Sequence, residues 1–176
     1  MLKKILYVIL GIIALPFLVG LFIKKDFGVE RSVIIQKPLE EVFDYVSSVQ
    51  NQANYAVWSQ MDPDMKVEVT GTDRTVGFSS SWESDNPNVG SGKQTITNIE
   101  VNKRIDHKLE FAAPMESGAN SWMLTEDAGN GQTKVTWGFE THTGYPMNMV
   151  FSLLGIEDAI GKDYETGLVN LKAILE

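Results

Sequence analysis

The chain has 176 residues and no cysteine. That absence excludes disulfides, thiolate metal sites, cysteine nucleophiles and a lipidated bacterial N-terminus. Histidine is nearly absent too: His107 and His142 are the only two. Neither has a second histidine at metal-ligand spacing, and a facial iron site needs two histidines and a carboxylate. No metal is therefore expected. The sequence also lacks a glycine-rich phosphate loop, a Gly-x-Ser-x-Gly elbow and a zinc-protease histidine pair. Ser79, Ser80 and Ser81 form a run without a neighbouring base to activate them. No cofactor is expected. Basic residues are outnumbered, 15 against 23 acidic ones, for a net charge of −8. With no basic stripe interleaved with aromatics, nucleic-acid binding is excluded as a reading.

What is present begins with charge asymmetry. Residues 1–25 hold Lys3, Lys4, Lys24 and Lys25 and no acid, so the remaining residues carry the whole acidic excess. Between the lysine pairs, Ile5 to Ile23 is uncharged. At about 1.5 Å per residue this stretch spans roughly 30 Å, the thickness of a bilayer core. Gly11 and Pro16 are tolerated in a membrane-spanning helix. The run ends in Leu21, Phe22 and Ile23 rather than in small residues, which argues against a cleaved signal peptide. The expected organisation is an anchor over 1–25 and a domain over 26–176, single-pass in a membrane of bacterial type. Lysines on both flanks leave the orientation open.

Beyond the anchor, the apolar pattern changes period. Val29 to Gln36 reads as a strand. Pro38 to Val49 places Val42, Phe43, Val46 and Val49 at helical spacing, with Glu40 and Glu41 favourable to the helix dipole in its first turn. A second short helix or turn follows over Gln50 to Ala56. Six alternating segments then read as strands: Met65–Thr70, Thr75–Glu83, Lys93–Val101, Arg104–Phe111, Asn120–Glu126 and Thr133–Thr141. Gly129-Asn130-Gly131 signals a hairpin. Tyr145 to Glu176 reads as one long amphipathic helix. Gly155, Gly161 and Gly167 within it imply a bend at Gly155 or close approaches where bulk would block a space below. The predicted fold is α+β: about seven antiparallel strands in a curved sheet, gripping a long C-terminal helix.

At this level the sequence resembles the START-like (SRPBCC) superfamily, and within it the polyketide cyclase/dehydrase-type proteins. The carrying segments are VERSVIIQKPLEEVFDYV (Val29–Val46), Trp58-Ser59, Met61 to Met65, Val76-Gly77, Ser81-Trp82-Glu83, GSGKQTIT (Gly90–Thr97), TKVTWGFE (Thr133–Glu140) and IGKDYETGLVNLKAIL (Ile160–Leu175). The resemblance implies a helix-grip fold with a cavity between sheet and C-terminal helix for a hydrophobic molecule. Superfamily members include lipid carriers, hormone receptors, cyclases and co-chaperones, and a fold alone chooses none of them.

The expected lining of such a cavity is Trp58, Phe78, Trp82, His107, Trp122, Trp137, Phe139 and Tyr164. Each has an ordinary alternative as core. Glu83 and Glu140 are the acid/base candidates, because a carboxylate in an apolar cavity has a raised pKa; their ordinary alternative is a solvated outer face. The leading expectation is a membrane-anchored binder of a small hydrophobic ligand or lipid rather than an enzyme. A cyclase- or dehydratase-like enzyme and a co-chaperone-like interaction module are the alternatives.

Overall fold

The computed structural model describes residues 18–113 and 115–176. Most of the expected anchor lies outside these residues. Among those described, no helix is long and apolar enough to cross a membrane. The elements follow in chain order as β1 (Asp26–Ile35), α1 (Leu39–Val46), a 3-10 helix (Gln50–Asn54), α2 (Val57–Met61), β2 (Lys66–Thr70) and β3 (Ser79–Glu83). Then come β4 (Ser91–Glu100), β5 (Arg104–Ala113), β6 (Ser117–Gly129), β7 (Gln132–His142), α3 (Met147–Leu153) and α4 (Ile156–Leu175).

The seven strands form one antiparallel sheet in the order β1-β7-β6-β5-β4-β3-β2. Of its six pairings, five join strands that are neighbours in sequence and one joins the first strand, β1, to the last, β7. The β6–β7 turn is the expected hairpin, with positive φ at Gly129, Asn130 and Gly131. One face of the sheet is covered. α4 lies against β1 and β7, and α1 against β6 and β7. α1 turns Val42, Phe43 and Val46 inward, as their spacing requires. α4 turns Gly161, Tyr164, Gly167, Leu168 and Leu171 inward. The architecture is a helix-grip fold.

The C-terminal helix differs from the single helix expected. Gly155 adopts φ 61°, ψ 40°, a left-handed conformation that favours glycine, and divides α3 from α4. The bend read from the glycines is this break. The other two glycines are explained by packing. A Cβ at Gly161 would strike the Arg31 guanidinium, which crosses the helix to reach Glu165 at 2.6 Å. A Cβ at Gly167 would sit 2.9 Å from the Trp137 ring and 3.3 Å from the Tyr55 carbonyl oxygen. Both glycines permit close approach of the helix to filled space rather than keeping a cavity clear.

Candidate functional site

Strand register sorts the covered face into rows, because residues directly opposite in an antiparallel pair share a face. One row runs Arg31, Trp137, Met123, Ile105 and Ile99. The next runs Val29, Phe139, Ser121, His107 and Ile96. These two rows are buried almost throughout. A third row runs Ala119, Leu109, Gln94, Ser80 and Val69. A fourth runs Ser117, Phe111, Gly92, Trp82 and Val67. Here the cover ends: Leu109, Gln94, Ser80, Phe111 and Trp82 are only half-buried, and Val67 and Val69 are exposed. The covered face thus passes from a packed core to an apolar floor open to solvent.

The packed part is aromatic. Tyr164 of α4 stacks on Trp137 with centroids 4.3 Å apart, and Trp58 meets both rings edge-on at 5.8 and 6.2 Å. Tyr55 abuts Trp137 at 5.6 Å. Trp137 and Tyr164 are buried, and Trp58 is half-buried against them. The space expected between the sheet and the C-terminal helix is filled at this level. Two open depressions, of about 740 and 390 Å³, lie elsewhere. The larger is at the open end of the sheet and includes Trp82, Gly92 and Phe111.

Polar groups stand where the packed rows meet the open ones. The Tyr164 hydroxyl is 3.4 Å from Ser121 Oγ, which donates to the Gly138 carbonyl at 2.9 Å. Burial pushes the Tyr164 hydroxyl pKa up, against a lowering by Ser121. His107 is opposite Ser121, and burial lowers its pKa to about 4, with Asp106 opposing, so the ring is neutral at pH 7. Its side chain has no hydrogen-bond partner among the described residues. Asp163 lies on the α4 stripe of Ile160 and Gly167, half-buried, and burial raises its pKa.

The residues expected to line a cavity therefore separate. Trp58, Trp137, Phe139 and Tyr164 belong to the packed part, together with Phe78, which is buried. His107 is at the boundary, and Trp82 is on the open floor, edge-on to Phe111 at 5.9 Å. Trp122 is on the opposite face, contrary to expectation. It is paired with Gly138, whose hydrogen leaves room for the indole, and Arg104 lies over its ring at 5.0 Å. Glu83 and Glu140 also face away from the covered side and are exposed. Glu140 accepts from Asn120 at 3.1 Å, and Glu83 is 3.8 Å from Lys66. Glu140 lines neither depression; Glu83 lines the larger one, beside the charged Lys93, Lys108 and Glu110 rather than in an apolar cavity. Gln94, Leu109, Ser121 and Asp163 were not among the sequence candidates. The signal for Leu109 was its shared parity with His107 on β5, and for Asp163 its place four residues before Gly167; Gln94 and Ser121 lie on strands that hold neither His107 nor Trp82.

The family described as "Polyketide cyclase / dehydrase and lipid transport" matches residues 26–176. The chain belongs to this family. Solved structures agree with that membership in fold. The hypothetical protein jhp0584 from Helicobacter pylori superposes with a TM-score of 0.64 at 12% identity, over 85% of this chain and 88% of that one. The Aha1 dimer from Colwellia psychrerythraea gives 0.56 at 16%, over 85% and 96%. CalU16 from Micromonospora echinospora gives 0.55 at 11%, over 85% and 76%. At such identities the likeness is one of fold. No curated protein sequence matches the chain.

Proposed function

We propose that this family member binds a small hydrophobic molecule or lipid on the open rows of its covered face, and that Ile5–Ile23 holds it in a membrane. The observation that carries this reading is the half-exposed floor of Leu109, Phe111, Trp82, Val67 and Val69, continuous with the core, interrupted by Gln94, Ser80 and Ser117 and bordered by His107. Apolar surface with a few convergent polar groups is the usual composition of a small-molecule site. Exposed apolar surface of this kind gains about 25 cal/mol per Å² when a ligand covers it. Lipid transport in the family description supports the same ligand class. The test is extraction of the full chain from membranes, followed by mass spectrometry of species that remain bound after exchange into lipid nanodiscs. A species retained by the wild type and lost from Phe111→Asp supports the reading; identical lipid in both preparations counts against it.

A second reading, an enzyme of the cyclase or dehydratase type, draws on His107 and Asp163. The His107 imidazole, neutral at pH 7 and at the edge of the open floor, is a candidate base, and Asp163, half-buried on α4 with its carboxyl pKa raised by burial, is a candidate acid. Turnover of a bound ligand that disappears in His107→Gln while binding persists is the outcome that would select it.

A further inference from the structure

α3 carries an exposed apolar face that its own domain does not use. Val150, Leu153 and Leu154 share one side of the helix, and Leu153 and Leu154 are 79% and 67% exposed. The opposite side is fixed. Phe151 packs on Phe27 at 5.4 Å, and Asn148 is fully buried. Asn148 Nδ2 donates to the carbonyl oxygens of Gly20 and Ile23, each at 3.0 Å. Residues 18–20 are helical, so this side chain caps the carbonyl end of a helical turn, where such groups have no internal partner. Met149 fills the space beside Gly20 that a side chain would occupy. Lys24 reaches Glu157 at 2.6 Å, and the Thr143 amide donates to the Lys25 carbonyl at 2.7 Å. The chain from Leu18 to Lys25 is therefore clamped to α3 and the start of α4, not joined by a loose tether.

Leu18, Leu21 and Phe22 are exposed beside this clamp, Phe22 at 90%. They are the end of the uncharged stretch Ile5–Ile23. Where that stretch leaves the domain is thus set by Asn148, and it leaves alongside the apolar face of α3. The open rows lie at the same end of the sheet. β1 starts and β7 ends there, next to Phe27 and Thr143, and so do the Trp82 end of β3 and the Phe111 end of β5.

We propose that α3 is an interfacial foot: its Val150–Leu153–Leu154 face rests on the lipid bilayer beside the emerging N-terminal segment and turns the open rows toward the membrane. The proposal rests on the membrane reading above. It commits to lipid because the uncharged stretch ends on this patch, and because an amphipathic helix beside a membrane segment buries its apolar face at the headgroup boundary. Lys24 and Lys25 then fall at headgroup level, where lysine stems lie along apolar surface with their charge in water. The acidic domain gains nothing from anionic lipid, so the apolar contact supplies the orientation.

The absence of cysteine makes the test direct. Leu153→Cys, Val67→Cys and Val101→Cys are labelled with an environment-sensitive fluorophore in the full chain, reconstituted in phosphatidylcholine–phosphatidylglycerol vesicles that contain spin-labelled lipid. Val101 is exposed at the opposite end of the strands, in the β4–β5 turn. The expected result is blue-shifted emission at 153, quenched several-fold more than at 101, with 67 intermediate. A label at 153 as accessible to aqueous quencher as one at 101, in protein that floats with the vesicles, overturns the foot and leaves the anchor standing. Failure of the wild-type chain to float with vesicles overturns both. A label at 67 no closer to lipid than 101, with 153 in lipid, overturns the orientation of the open rows.

Discussion

The Trp137 and Tyr164 rings stack with their planes 13° from parallel and their centroids 4.3 Å apart, joining the middle of the sheet to the middle of α4. This contact decides where a ligand can go. It fills the space under the helix, so the proposed site is toward the uncovered rows. Trp137→Ala is expected to destabilise the fold by roughly 3–5 kcal/mol, the range for deleting a buried large aromatic. Trp122→Ala, on the opposite face, loses an Arg104 contact and partial packing and is expected to cost clearly less. Urea unfolding of the two variants checks the difference.

The glycines of α4 give a second pair. Alanine normally gains about 1 kcal/mol over glycine in a helix interior. At Gly167 the new Cβ meets the Trp137 ring and the Tyr55 backbone, neither of which can move away cheaply, so Gly167→Ala is expected to lower Tm. At Gly161 the obstacle is chiefly the end of the flexible Arg31 side chain, so Gly161→Ala is expected to be near neutral. Thermal melts at fixed protein concentration distinguish them.

Much of this arrangement was legible in the sequence. The seven strands follow from period-2 alternation, and the hairpin from Gly129-Asn130-Gly131. The face of Trp122 was not. Its strand buries Ala119, Ser121, Met123 and Thr125, a set that looks more polar than the alternate set with Trp122 and Leu124. The small residues are inside because Tyr164 and Trp137 occupy the space above them, a tertiary fact that single-strand periodicity does not contain. Asp163 reads as a solvated helix position for a similar reason: which side of α4 is covered depends on the helix lying over β1 and β7.

His107 makes stability depend on pH. Its folded pKa of about 4 lies below the ordinary 6.5, so the unfolded chain binds more protons between these values and stability falls as pH drops through that window. The expected loss is about 2 kcal/mol between pH 7.5 and 5. The Asp163 carboxyl has the opposite sign: its raised folded pKa opposes folding in the charged form, and acid relieves it. Glu157, charged against its burial by hydrogen bonds from Lys24 and the Gly28 amide, adds acid sensitivity only below the ordinary carboxylate range. Urea unfolding across pH 7.5 to 5 is expected to show a clear slope in the wild type and a flatter one in His107→Gln.

Asn148 links the domain to the segment before it. Asn148→Ala leaves the Gly20 and Ile23 carbonyls without their side-chain partner, at a cost of about 1 kcal/mol for each bond. The backbone around the already exposed Lys24 and Lys25 is then expected to open more readily. Tryptic cleavage after these residues, followed by mass spectrometry under native conditions, is expected to be several-fold faster in Asn148→Ala than in the wild type.

The open rows are proposed to bind a hydrophobic molecule. The most direct measurement is a titration of the full chain in lipid nanodiscs with a panel of fatty acids and polycyclic aromatics, followed by tryptophan fluorescence, in the wild type and in Phe111→Asp. Saturable binding by the wild type, lost in Phe111→Asp at an unchanged Tm, is the predicted result. No saturable change with any member of the panel, or equal binding by the two proteins, would contradict it.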